Sequence, residues 1–256
     1  MDKDKLSFFS SCFESSEIKD ADIFENNAVD FRNWFVSFDF REIQKEFDIL
    51  FPITKKIATH YRPKVQSSGC DCLFIIVKES APAQISRIRL DLHAIFDKLI
   101  QVGHSDVVPS LMPCITERIE IIYKNPSDST FHDMVSHLME TWTRDSTSAA
   151  ASFVISTEFQ KIIRYMGLSS SRYIELIIDI VYSRAKNTKS RNHLLQFTFC
   201  ISELVKQSWP VIRSVKAKIE QFIEKTLETV ENHESINLEC IEIRKLIDCS
   251  PVPPTL

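Results

Sequence analysis

The sequence is poor in glycine. It contains only three glycines in 256 residues, whereas ordinary usage of about 7% would place roughly 18 in a chain of this length. Gly69, Gly103 and Gly167 lie too far apart to share a phosphate-binding loop, which needs at least two glycines close together. The shortage argues against folds with many tight turns and against P-loop and dinucleotide-binding sites.

Long apolar runs are also missing. The longest uninterrupted run covers about residues 73–77, far below the roughly 20 residues that cross a bilayer. The charged residues 1–5 are followed by only a short apolar patch, which is not typical of a secretory signal. The seven cysteines are an odd number without a pairing framework, which favours reduced, buried thiols. We therefore expect no membrane insertion and a location in the cytoplasm, or in the nucleus as well.

The sequence carries no recognisable catalytic or metal-binding motif. A Gly-x-Ser-x-Gly elbow and a His-Glu-x-x-His pair are both absent. Cys70 and Cys72 would point about 200° apart on a helix, so they cannot hold one metal ion. The 31 basic and 35 acidic side chains give a net charge of −4, which argues against a dedicated nucleic-acid binder. We expect no enzyme activity, no catalytic residue, no metal and no cofactor.

Apolar residues recur at helical spacing from residue 40 onward. Helix starts are predicted near residues 41, 63, 82, 106, 129, 149, 171, 192, 210 and 235. Pairs of helices would then recur every 35 to 45 residues or so, as in HEAT and armadillo repeats. The predicted fold class is an all-α, HEAT/armadillo-like helical-repeat solenoid. An irregular helical bundle is the alternative, and the β-branched runs at 73–77 and 119–123 leave a strand interpretation open.

Prolines, glycines and capping residues indicate where helices begin and end. Pro63 and Pro82 are typical of a first helical turn. Gly103 suits the left-handed position after a helix end. Asp106 is predicted to cap a helix that runs until the Asn-Pro pair at 125–126.

Composition divides the chain into three segments. Residues 1–40 are rich in aromatic residues and are predicted to form two short helices that cap a helical array or dock on a partner. Residues 41–249 form the predicted helical-repeat domain, and residues 250–256 a Pro-rich tail. Within the repeat domain, residues 173–181 are apolar almost all round and should lie at the centre of the packing.

Two features in the second half are candidate binding sites. A basic corner between two predicted helices could bind a phosphate or an acidic partner, or could be a solvated corner; it comprises Arg184, Lys186, Lys189 and Arg191. The apolar pattern at 211–230 fits a partner-binding helix, a coiled-coil seam or the penultimate helix of the array. Trp209 and Phe222 are the candidate partner contacts in this region.

Three segments, residues 60–73, 92–99 and 107–114, resemble the Tti-two family of Tel-two-interacting proteins, which belong to the triple-T co-chaperone complex. The similarity covers about residues 47–125 and consists of packing positions: Pro63, Val65, Gly69, Leu73, Phe96, Leu99, Leu111 and Pro113.

The resemblance implies a non-catalytic scaffold subunit. Its partners would be a larger Tti-one-like helical-repeat protein and a Tel-two-like subunit. Through them it would act on phosphatidylinositol 3-kinase-related kinases and the heat-shock chaperone that matures those kinases. The alternative function is an armadillo-like adaptor for a peptide, a cargo protein or an RNA-processing partner.

Overall fold

The computed structural model describes residues 3–14, 21–144, 147–230 and 233–250. The predicted Pro-rich tail therefore lies outside the described residues except for Ser250. Within these ranges the secondary structure is helical and contains no strand. Over the same ranges, none of the helices is long and apolar enough to cross a membrane.

The described chain forms fourteen α-helices and two short 3₁₀-helices. In the first half these are α1 (Lys3–Glu14), α2 (Ala21–Phe35), α3 (Phe40–Lys45), α4 (Phe47–Ala58), α5 (Pro63–Glu79), α6 (Pro82–Val102), α7 (Val108–Thr116) and α8 (Ile119–Ile122). In the second half they are α9 (Ser129–Thr143), α10 (Ala149–Met166), a 3₁₀-helix (Gly167–Tyr173), α11 (Ile174–Lys186), α12 (Arg191–Gln207), a 3₁₀-helix (Ile212–Val215), α13 (Lys216–Thr229) and α14 (Glu234–Cys249).

The helices group into two compact units, Met1–Lys124 and Asn125–Leu256. In the first unit, α2, α5 and α7 pack side by side in one layer, and α1, α4, α6 and α8 in the other. In the second unit, α10, α12 and α14 form one layer, and α9, α11 and α13 the other. Each unit is therefore a two-layer helical array.

The division between the units does not coincide with the predicted boundary at residue 40. The first segment does contain two helices, as predicted, but α1 packs on α4 and α2 packs on α5. Its aromatic rings fill the interior: Phe31 and Phe35 are fully buried and stack at 5.5 Å between centroids. These rings thus belong to the core of the first unit, because burial of such large apolar side chains is strongly favourable.

Hydrogen bonds between neighbouring helices of a layer reveal the repeat period. In the first unit, Arg32 Nε donates to Asp71 Oδ2 at 2.5 Å across a separation of 39 residues. In the second unit, Arg164 Nη2 donates to Glu203 Oε2 at 2.9 Å, also 39 residues apart. The predicted recurrence of helix pairs every 35 to 45 residues is confirmed within each unit.

Several predicted helix boundaries are confirmed. Pro63 and Pro82 stand in the first turns of α5 and α6. Gly103 follows α6 with φ 64°, in the left-handed conformation that closes a helix. Residues 73–77 lie within α5, so the strand interpretation of that run is wrong. Along α11, Ile177, Ile178 and Val181 are buried as predicted for the central segment, although Leu176 is exposed.

Other boundaries differ from the prediction. Asp106 does not cap a helix: α7 begins at Val108 without a side-chain cap, and the Asp106 carbonyl accepts a bond from Ser67 Oγ at 3.1 Å. The helix predicted to continue to residue 125 breaks at Arg118, whose φ is 53°. Residues 211–230 are likewise divided into a 3₁₀-helix and α13. Apolar residues are buried on both sides of the break at Arg118, for example Ile115 and Ile119, so apolar spacing alone does not mark it.

Candidate functional site

The positions that carry the family resemblance are packing positions. Six of the eight are buried: Val65, Gly69, Leu73, Phe96, Leu99 and Leu111. Pro63 and Pro113 are half-buried in α5 and α7. These residues therefore hold α5, α6 and α7 in the first unit and do not present a surface to a ligand.

The predicted basic corner is only partly available for binding. Arg184 is half-buried, and its Nη2 donates to the carbonyl oxygens of Trp142 and Arg144, the latter at 2.7 Å. These carbonyls lie at the C-terminal end of α9, where the helix itself supplies no donor. The guanidinium of Arg184 thus caps a neighbouring helix, and we assign it a structural role.

The other three basic residues remain on the surface. Lys186 Nζ lies 4.2 Å from the centroid of the Tyr182 ring, a cation–π geometry. Lys189 and Arg191 are exposed, and neither forms an ion pair with the part of the chain that the structure describes. The corner is therefore a weakly organised patch of positive charge.

The structure does not bring the candidate partner contacts together. Trp209 is half-exposed just after the end of α12, whereas Arg191 lies at the start of that helix. Seventeen residues of α-helix separate the two ends by about 26 Å. Phe222 lies in α13 and is fully buried within the second unit. It is therefore a core residue, and the expectation that it contacts a partner is wrong. The apolar residues at 211–230 mainly pack inside the second unit, as the penultimate helix of an array would.

Five of the seven cysteines are buried, whereas Cys12 is half-buried and Cys249 is exposed, so the expectation of buried thiols is wrong for Cys249. Burial raises the pKa of the Cys200 thiol to about 12 and that of Cys240 to about 11. Cys70 and Cys72 are fully buried, and burial raises the pKa of both thiols. Among the described residues, no three His, Cys, Asp or Glu side chains lie close enough to hold a metal ion. A neutral, buried thiol is a poor nucleophile and a poor metal ligand.

A groove lies between α1 and α4, and we call it the α1–α4 groove. Its volume is about 810 Å³. Leu6, Ser10 and Phe13 line it from α1, at spacings of three and four that place them on one helix face. Ile49 and Ile53 line it from α4. Both walls are α-helices, so the groove has a rigid frame.

The floor of the groove is apolar and partly open. Leu6, Phe13 and Ile53 are buried at its base. Ile49 is 41% exposed, and Pro52 beside it is also exposed. A ligand that covers Ile49 and Pro52 would remove apolar surface from water, which stabilises a complex by about 25 cal/mol per Å².

Positive charge predominates at the edges of the groove. Lys3, Lys45 and Lys56 are exposed along it, together with Asp48 and the half-buried Glu46. The Nζ atom of Lys45 lies 3.7 Å from Glu46 Oε1. Asp48 forms an ion pair with Arg87 of α6. Lys3 and Lys56 form no ion pair within the described part of the chain. Both carboxylates are thus already paired, while two ammonium groups are not.

Pro52 interrupts the backbone hydrogen-bond ladder of α4 beside the groove. Pro52 lies inside the helix and has no N–H, so the carbonyl oxygen of Asp48 lacks its normal donor four residues later. Both residues line the groove. A second groove of about 430 Å³ between α4 and α6 shares Asp48 and Pro52 with the first. The sequence interpretation missed this surface; a proline inside a helical pattern was the signal that could have marked it.

A two-layer helical array with an open groove defines the class of the protein: an all-α, armadillo-like helical-repeat fold. Comparison with known proteins agrees at the level of the fold. No protein-family model matches the chain, and no curated protein matches it. Several solved structures of engineered proteins are similar at 12–15% identity, and this similarity concerns the fold alone.

Three of these structures are similar over nearly the whole chain. One is an engineered protein of the Northeast Structural Genomics Consortium, 13% identical over 100% of both chains with a TM-score of 0.64. Another is the designed armadillo repeat protein YIII(Dq)4CqI, 13% identical over 94% of this chain and 99% of that one, with a TM-score of 0.57. A third is the designed armadillo repeat protein YIII(Dq.V1)4CPAF in complex with the peptide (KR)4, 13% identical over 95% and 99%, with a TM-score of 0.54. The predicted helical-repeat fold class is thereby confirmed.

Proposed function

We propose that this protein is a non-catalytic adaptor that holds a segment of another protein in the α1–α4 groove. The groove itself carries the proposal: its volume of about 810 Å³ lies in the range of specific binding sites, roughly 300 to 1,000 Å³. Apolar grooves between helices commonly bind segments that present an apolar face. A designed armadillo repeat protein with a similar fold is in complex with a peptide, which supports the proposal by analogy of fold.

The architecture suits such a role energetically. Binding costs free energy when side chains and loops must be ordered on the surface that receives the ligand. Here both walls are helices already held by their neighbours, since α4 packs on α5 and α1 packs on α2. The groove is therefore preorganised, and less of the interaction energy is lost on ordering.

In its more specific form, the proposal is that the adaptor is a Tti-two-like subunit. The similarity at residues 47–125 supports this form, and those residues include α4, one wall of the groove. Its partners would be a Tti-one-like helical-repeat protein and a Tel-two-like subunit. Its clients would be phosphatidylinositol 3-kinase-related kinases passed to the heat-shock chaperone, in the cytoplasm and also in the nucleus.

Affinity purification of the tagged full-length chain, followed by mass spectrometry, tests the proposal. The Ile49→Glu variant puts a carboxylate on the groove floor. The Leu90→Glu variant is the matched control, because Leu90 is 70% exposed on α6 and does not line the groove. We expect the wild type and Leu90→Glu to recover the same larger helical-repeat protein, and Ile49→Glu to lose it.

The results separate the general proposal from its specific form. Recovery of a Tel-two-like subunit and of large kinases would support the Tti-two-like role. Groove-dependent recovery of unrelated partners would support an adaptor but contradict that role. Identical recovery by the wild type and Ile49→Glu would overturn the assignment of the groove as the binding site.

A further inference from the structure

The charge around the α1–α4 groove points to one kind of occupant. We infer that the groove binds an acidic amphipathic segment of the partner protein, with its apolar face on the floor and its carboxylates against the lysines. This inference rests on the proposed function. It adds the sign of the charge and the pattern of the residues that the groove recognises.

The floor requires an apolar stripe. Ile49 and Pro52 are exposed and continue a surface whose base is formed by Leu6 and Ile53. A fully polar segment would leave this surface uncovered or would bury polar groups without partners, which is unfavourable. Each wall is a helix of twelve residues, about 18 Å long, and this length matches three turns of a bound helix.

The edges require negative charge. Lys3, Lys45 and Lys56 face the groove, and Arg87 neutralises Asp48 while Lys45 lies beside Glu46. Lys3 and Lys56 are therefore the two charged side chains of the groove that have no counter-charge among the described residues. A basic segment would place like charges together, which is unfavourable, whereas carboxylates would speed encounter and favour the correct partner.

The inference sets this protein apart from its designed structural neighbour. That designed armadillo repeat protein is in complex with the peptide (KR)4, which alternates two basic residues. The lysines of the α1–α4 groove would repel such a peptide. The fold is shared, but the residues on its surface decide the charge of the ligand.

Direct binding measurements test the inference. The probes are a fluorescent peptide of about 14 residues with Leu at helical spacings of three and four and Glu elsewhere, the same peptide with Lys in place of Glu, and (KR)4. Binding to the full-length chain is followed by fluorescence anisotropy. We expect the Glu peptide to bind at least about tenfold more tightly than the Lys peptide, with an affinity that falls as salt rises.

Charge-reversal variants locate the interaction. Lys3→Glu combined with Lys56→Glu should weaken binding of the Glu peptide about tenfold or more. Lys189→Glu in the second unit is the matched control and should leave the affinity unchanged. Lys3→Gln combined with Lys56→Gln should have an intermediate effect, and circular dichroism confirms that each variant is folded.

The outcomes distinguish this inference from the proposed function. Preference for the Lys peptide or (KR)4, no binding of either amphipathic peptide, or insensitivity to the paired lysine variants would overturn the inference. The adaptor function would still stand if partner recovery depended on Ile49. Tight binding of the Glu peptide with partner recovery unaffected by Ile49→Glu would instead overturn the groove as the site where the adaptor holds its partner.

Discussion

Gly69 of α5 lies directly against the backbone of Ala58 in α4. A Cβ atom at Gly69 would stand 2.3 Å from the Ala58 nitrogen and 2.4 Å from the Ala58 Cα atom. Real Cβ atoms do not approach other heavy atoms this closely, and backbone atoms cannot rotate away. The two helices can therefore cross here only because residue 69 has no side chain. The close packing of α4, one wall of the groove, depends on this contact.

Gly69→Ala should separate α4 from α5 and lower the free energy of unfolding by about 3 kcal/mol or more. Thermal and urea unfolding measure the loss. Gly167→Ala is a useful comparison, because a Cβ atom there meets nothing within 4 Å although φ is 55°. That variant should lose about 1–3 kcal/mol from backbone strain alone, because φ of 55° with ψ of −132° is a conformation that only glycine adopts easily. A loss below about 1 kcal/mol in Gly69→Ala would contradict the packing explanation.

Arg184→Ala should destabilise the second unit. The variant removes the donor that binds the carbonyls of Trp142 and Arg144, and the expected loss is about 1–3 kcal/mol. Lys189→Ala, an exposed cation of the same corner, should change the free energy of unfolding by less than about 0.5 kcal/mol. Chemical denaturation compares the two. If the two variants behaved alike, the capping role of Arg184 would be wrong.

Arg164 and Glu203 form an ion pair between two helices of the second unit. The arginine side chain is exposed, whereas the glutamate side chain is nearly buried. The side chain of Glu203 is 11% exposed and that of Arg164 is 65% exposed. Burial alone would raise the pKa of Glu203, but hydrogen bonds from Arg164 and Gln207 and the neighbouring cations outweigh burial, so the pKa is lowered. Arg164→Ala should therefore cost about 1–2 kcal/mol near neutral pH, where Glu203 is charged.

The pH dependence of this effect follows from the sign of the shift. A carboxyl whose pKa is lowered by folding stabilises the protein above its unfolded pKa of about 4.3, and the contribution is lost as pH falls. The difference between the wild type and Arg164→Ala should therefore shrink below about pH 4. Lys225→Ala removes a pair with Glu228, whose side chain is 69% exposed, and should change stability little at either pH. A loss from Arg164→Ala that did not depend on pH would contradict the role of the ion pair.

His132 should make stability fall in mild acid. Desolvation and the nearby Arg172 lower the pKa of this histidine, against the opposing effects of Asp133 and Asp128. Its Nδ1 atom lies 2.8 Å from the hydroxyl of Tyr173. Because the unfolded chain takes up a proton near pH 6.5 and the folded chain does so only at lower pH, the free energy of unfolding should decrease as pH falls through this range.

Urea denaturation between about pH 7.5 and pH 5.5 measures this decrease. His132→Gln should make the pH profile flatter, whereas His104→Gln, at an exposed position, should leave the profile unchanged. Desolvation also lowers the pKa of His60, so part of the decrease should persist in the His132→Gln variant. If the pH profile of the His132→Gln variant were as steep as that of the wild type, His132 would not contribute to the decrease in stability.

Local signals in the sequence were sufficient for most helix boundaries. Pro63, Pro82 and Gly103 impose their own backbone conformations, so their effects are visible without knowledge of the fold. The predictions at Asp106 and Arg118 were wrong because the conformation at these residues depends on contacts with distant parts of the chain. The conformation of Arg118 is left-handed, and its guanidinium donates to the carbonyl oxygens of Lys78 and Ser80, residues about forty positions away.

The candidate site was much harder to predict. Lys3 and Lys56 lie in different helices and line one groove only because α1 packs on α4. Arg184 was correctly noted as a basic residue near a helix corner, but its role depends on carbonyl groups of α9. Phe222 was correctly assigned to an apolar helix stripe, yet a stripe does not indicate whether a partner or the same chain covers it.

The order of residues along the chain determined the helices, their spacing and the all-α fold class, because these depend on backbone preferences and on apolar periodicity over a few turns. Only the tertiary structure decided which apolar faces are covered and which charges remain unpaired. Both depend on contacts between residues some forty or fifty positions apart. The groove between α1 and α4, with its open apolar floor and its lysines, is a property of that packing and of no single segment.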